Sequence, residues 1–200
     1  MNLVAWCMPA LHHLRGVLCS APCVPLRGLL CLLWTAPALL AMAACSPALD
    51  WRDVRPEAAG IQLQFPCKPS GQSRDLSLAG KRVNLALHAC AAGGLTWGLA
   101  VADVGDPALV GAALAELSAS AAANLGAAAG ENQPLRVRGA TPNDAAGRQR
   151  LTGKLPDGKT VQMQVAVFTR GTLVYQASAL GELVADDAAQ TFFDAIRFSP

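Results

Sequence analysis

Between Ile61 and Ala177 apolar residues fall mostly at every second position, and one long stretch breaks the rhythm. Alternation sends successive side chains to opposite faces of a strand, whereas a helix repeats every three or four residues. Ile61, Leu63 and Phe65 alternate with Gln62 and Gln64, and Pro66 and Pro69 close the run because proline cannot donate to a sheet ladder. Val83, Leu85 and Leu87 predict a second strand, Gly93-Gly94 a hairpin turn, and Leu95, Trp97, Leu99 and Val101 a third strand. Asp106-Pro107 then offers an N-cap followed by proline at the first helical position. Leu109, Val110, Ala113, Leu114, Leu117, Ala121 and Leu125 follow at helical spacing, with Gly126 and Gly130 as stop signals. Strands return over residues 135–137, 148–155, 161–167 and 173–177, with turns at Pro156-Asp157-Gly158 and Gly171. Val184, Ala188, Phe192 and Ile196 repeat every four residues, a closing helix that ends near Arg197.

The order is therefore β-β-β-α-β-β-β-β-α, without the strand–helix alternation of a Rossmann fold. It predicts an α+β class: a twisted antiparallel sheet made of hairpin, helix, meander and C-terminal helix, with the helices covering one face. Residues 61–200 are long enough to bury one adequate core, and no internal repeat is visible.

What precedes that domain has a different character. Arg27 is followed by Gly28-Leu-Leu-Cys-Leu-Leu-Trp, then Thr35-Ala-Pro37, then small residues to Ala44. A basic start, an apolar middle and a small-residue end are the layout of a secretory signal, so residues 1–44 read as a leader. Residues 1–23 fit it poorly, with His12, His13, Cys7, Cys19, Cys23 and Pro22, and translation is expected to begin near Val24 from an alternative start codon.

Three fates compete for the apolar segment. A retained membrane helix needs about 20 apolar residues, but Pro37 interrupts this one and Asp50 precedes Arg52 beyond it. Simple cleavage would use Ala41-Met42-Ala43. Leu40-Ala41-Met42-Ala43-Ala44-Cys45 resembles the bacterial lipobox, with Met42 where that motif prefers leucine, and implies an acylated Cys45 as the first mature residue. Cysteine arithmetic favours the lipoprotein fate. With Cys7, Cys19, Cys23 and Cys31 in the leader and Cys45 acylated, Cys67 and Cys90 remain as an even pair suited to an oxidising compartment. Residues 45–60, with Pro47, Pro56 and Gly60, then form a tether whose Trp51 packs back on the domain.

Charge narrows the partners. Arg15 and Arg27 are the only charged residues before Cys45, so the chain after it is formally neutral and the overall +2 belongs to the leader. A neutral domain without a Lys/Arg block, and with few aromatics, gives no footprint for nucleic acid or for anionic lipid.

The segment AGIQLQFPCKP, the long helix after Asp106-Pro107, the meander GKTVQMQVAVFTRGTLVYQASA and the closing AAQTFFDAIRF resemble small bacterial envelope lipoproteins with the PsbP-like fold. The resemblance covers most of residues 59–198, and its strongest element is an aromatic-bearing helix followed by Ile-Arg-Phe. It implies a binding or assembly-accessory role without enzymatic activity, and it offers no catalytic residues to carry over. By resemblance to enteric sorting rules, Ser46 favours the outer membrane, with the domain facing the periplasm.

The residues capable of chemistry each have a plain alternative. Cys67 and Cys90 are expected to form a disulfide joining the first two strands; the alternative is a copper or zinc site with His88, since His88 and Cys90 share a strand face. Cys90 is out of phase with Leu85 and Leu87, so the bridge calls for a bulge or a bend at Pro66. His88 has no G-x-S-x-G elbow to serve and reads as a sheet-face residue. Asp186-Asp187 complement a helix N-terminus better than they make an acid–base pair. Gly93-Gly94 is no phosphate loop, lacking the Lys-Ser/Thr and the helix. Arg136, Arg138, Arg148 and Arg150 alternate on two strands, as solvent-facing charges or as contacts for an anionic partner. The sequence thus points to a non-enzymatic envelope lipoprotein, without a cofactor, that binds an envelope protein or small ligand; metal handling through Cys67, His88 and Cys90 is the alternative, and a hydrolase a distant third.

Overall fold

A computed structural model describes residues 49–198 apart from Ala58. Cys45, its acylation and the leader lie outside the described residues. Among those described, no helix is long and apolar enough to cross a membrane.

The main layer is a six-stranded antiparallel sheet of β3 (Ser70–Leu78), β4 (Lys81–Ala92), β5 (Leu95–Asp103), β6 (Gly147–Lys154), β7 (Thr160–Arg170) and β8 (Leu173–Gly181), in the order β3-β4-β5-β8-β7-β6. A second sheet joins β1 (Arg52–Val54), β2 (Ile61–Phe65) and β9 (Arg197–Phe198) in the order β1-β2-β9. The helices are α1 (Val110–Asn124) and α2 (Asp186–Asp194). The architecture is α+β with mostly antiparallel pairing.

Local chemistry explains most boundaries. Gly93 and Gly94 both take positive φ, as a two-residue hairpin turn matched to strand twist requires. Asp106 accepts a hydrogen bond from the Ala108 amide at 2.9 Å and caps a 3-10 turn at Pro107–Leu109 that leads into α1. At its other end Gly126 is left-handed; its amide bonds to the Ala123 carbonyl and the Ala127 amide to that of Ala122, a Schellman closure.

The helices do not share a face. Val110, Ala113, Leu114 and Leu117 of α1 bury against Val83, Leu85, Ala100, Ala102, Val167 and Val174. Leu95, Trp97, Leu99, Val101, Ala166, Phe168, Tyr175 and Ala177 point the other way, where the small sheet and α2 cover them. The expectation of one covered face is thereby corrected. Strands such as Leu99-Ala100-Val101-Ala102 and Val165-Ala166-Val167-Phe168 are apolar at both parities, the pattern of a sheet buried on two sides.

Other expectations change at the edges. Residues 135–137 make no strand; that loop contributes only single bridges, Gln133 with Arg148 and Arg138 with Arg197. Ser70–Leu78 is a full strand that its polar sequence conceals, because it is an exposed edge ordered by pairing with β4. The tether is in part sheet, since Arg52–Val54 pairs with Leu63–Phe65, and Trp51 packs edge-on to Trp97 with centroids 5.9 Å apart. The closing helix stops at Asp194, and Arg197-Phe198 continue as β9.

Candidate functional site

Cys67 and Cys90 are joined by a disulfide, with Cα atoms 6.0 Å apart. It ties the end of β2 in the small sheet to β4 in the large one. Cys90 pairs across the ladder with Trp97, so it belongs to the face that the small sheet covers, as Cys67 does. Leu85 and Leu87 serve the opposite face, under α1. Burial on both faces therefore reconciles the phases, and of the bulge or bend expected at Pro66 the chain shows the bend, at Pro66-Cys67.

With both sulfurs in that bond, the thiolates of a metal site do not exist in this form. Among the described residues no group of three or more His, Cys, Asp or Glu is arranged to hold a metal. His88 is half-buried on β4 opposite Gly71, where a Cβ would stand 3.3 Å from its Nδ1. The missing side chain leaves the imidazole room to lie on the strand, as a sheet-face histidine does.

Arg148, Arg150 and Asp186 form a structural network rather than a reactive one. Arg150 and Asp186 are an ion pair at 2.5 Å. Gln164, buried in β7, donates to Asp186 at 3.1 Å and accepts from Arg148. Arg148 also lies over the Phe193 ring, 4.1 Å from its centroid. Asp186 is held below the usual carboxylate range, chiefly by its hydrogen bond with Arg150. Burial lowers the Arg148 pKa, with repulsion from Arg150 adding to it. Asp187 accepts from the Ala188 amide at 2.8 Å, a local contact in the first turn of α2. These groups fasten α2 to the β6–β7 edge.

Two clefts lie around the loop 127–146. The loop is pinned at several points: Gln133 to Arg148, Thr141 to Thr169, and the Phe198 amide to the Arg138 carbonyl at 3.0 Å. One cleft of about 720 Å³ runs beneath it, from Asn132 past Arg136 to Asn143, with Phe168 as part of its floor. A second, of about 560 Å³, opens between the loop and the small sheet. Arg55, Arg138, Arg170 and Arg197 line it with Gln62, over Phe198.

Strand register explains that gathering of arginines. β9 pairs with β2 so that Phe198 faces Ile61 inward, which turns Arg197 and Gln62 outward together. The bridge from Arg138 to Arg197 places a further guanidinium beside them, and Arg55 follows Val54, whose partner Leu63 adjoins Gln62. Gly139 makes the approach possible. Its φ is +82°, and a Cβ there would sit 3.0 Å from the Phe198 Cβ. Of the four arginines sequence reading singled out Arg138 alone. The others lie far apart in the chain, and no local signal links them.

Compared with known protein families and with curated proteins, the chain matches none of them.

Proposed function

We propose that the protein is a non-enzymatic envelope lipoprotein, anchored through an acylated Cys45 in the outer membrane and presenting a PsbP-like domain to the periplasm. The domain acts as a binding or assembly-accessory module for an envelope protein or a small ligand. The Cys67–Cys90 disulfide carries this reading, because such bonds persist in oxidising compartments and are rare in reducing ones. The lipobox-like Leu40–Cys45 segment and the even cysteine pair left behind it support the anchor. The pinned loop and its two clefts supply a place for a partner, and no catalytic residue or cofactor is assigned.

Each acyl chain contributes about 0.8 kcal/mol per buried CH₂, so a multiply acylated cysteine holds the chain at the membrane nearly irreversibly. Membrane fractionation and mass spectrometry of the mature N-terminus test the proposal. The expected result is an acylated Cys45 peptide in outer-membrane fractions, and release of a Cys45→Ser variant to the soluble periplasmic extract. An unmodified Cys45 in a protein that still sediments with membranes contradicts it.

A further inference from the structure

The geometry points to an anion site on the outer face of the small sheet, in which Arg55, Arg138 and Arg197 receive a phosphate-bearing ligand and Arg170 lines the same cleft. It rests on the reading of this domain as a binding module and names the chemistry that the module takes.

Four guanidinium groups line one cleft of about 560 Å³. Arg197 pairs with Asp53 only loosely, at 3.9 Å. Arg55 and Arg138 have no ion pair among the described residues. The bridge that sets Arg138 beside Arg197 juxtaposes two like charges, a repulsion that a bound anion relieves. The guanidinium fork matches phosphate oxygens in pairs, and it keeps its charge at every physiological pH. Phe198 supports the assembly from below: Arg170 lies over its ring, 5.2 Å from the centroid. A phosphate group offers several oxygens to such forks, and a pyrophosphate-like or headgroup phosphate presents them across a cleft that several arginines line.

Two sources share that chemistry, a soluble phosphorylated compound and a phospholipid headgroup. The test is isothermal titration of the full-length gene product with sodium pyrophosphate. Competition then follows, using phosphatidylglycerol vesicles and neutral phosphatidylcholine vesicles of the same acyl chains. Pyrophosphate is expected to bind saturably at one site, and Arg138→Gln and Arg55→Gln each to weaken it about tenfold or more. Arg138→Gln is also expected to raise the melting temperature of the ligand-free protein by about 1–3 °C, since it relieves like-charge repulsion. The same variant loses the further rise that pyrophosphate gives the parent protein, a combination that a merely structural arginine does not produce. Competition by phosphatidylglycerol vesicles alone assigns the site to a headgroup; pyrophosphate binding without that competition assigns a soluble ligand. Absence of saturable binding, or binding unchanged in both variants, overturns the site. Acylation of Cys45 is read separately, so this failure leaves the anchored reading standing.

Discussion

The two faces of the main sheet are covered in different ways. Under α1 the buried side chains are Val, Leu and Ala, and no aromatic ring is among them. On the other face lie all the aromatic residues of the described chain, from Trp51 to Phe198. There Trp97, Phe192, Phe65, Tyr175, Phe168 and Phe198 interlock, mostly edge-to-face with centroids 5.1–6.1 Å apart. That face also carries discrete fasteners, the disulfide and the Tyr175 hydroxyl donating to the Ala59 carbonyl at 2.6 Å. Surface area holds one side, and rings and cross-links hold the other.

Truncating the largest ring tests this contrast most severely. Trp97→Ala is expected to cost about 3–5 kcal/mol and Leu114→Ala less than that, both read by chemical denaturation. A larger loss at Leu114 breaks the comparison. Next comes the cross-link. Replacing Cys67 and Cys90 by serine should cost about 2–4 kcal/mol. Hydrogen exchange should accelerate at β2 while protection in α1 is kept; equal loosening of both means the bridge stabilises the whole domain rather than one layer.

The Tyr175 hydroxyl adds a pH signature. Burial raises its pKa to about 12, above its ordinary value near 10. The unfolded chain therefore loses this proton first, and stability present below about pH 10 falls by roughly 2 kcal/mol as the pH rises toward 12. Tyr175→Phe should flatten that alkaline decline, while costing about 1–3 kcal/mol at neutral pH because the Ala59 carbonyl loses its donor. Melting curves at several alkaline pH values check both. The smallest effect belongs to the exposed Arg150–Asp186 pair. Its folded-state carboxyl pKa is depressed, so its contribution is present above the free carboxylate range near pH 4 and is lost as the pH falls below it. Asp186→Asn should remove that part of the acid dependence and change neutral stability less than any variant above.

How much of this was legible depended on whether the signal was local. The alternation in Ile61–Phe65, the glycine pair at 93–94 and the Asp106-Pro107 cap each act within a few residues, and each element forms where its pattern lies. Ser70–Leu78 was invisible because an exposed edge strand needs no apolar face. Residues 135–137 alternate like a strand, yet Leu135 and Val137 pack against the aromatic core from a loop. The second buried face was half visible, since the alanines at 100, 102 and 166 are too small to register as core until a partner layer covers them.

By itself the sequence determined where most of the core strands and both helices form, and it left Cys67 and Cys90 as the two cysteines of the domain. Those properties are encoded in spacing and counting, which act over a turn or a strand. Only the tertiary structure decided that the helices lie on opposite faces and that the disulfide spans two sheets. It also decided that Arg55, Arg138, Arg170 and Arg197 meet in one cleft. Each of these depends on which strands become neighbours, and neighbours distant in sequence are chosen by burial summed over the whole domain.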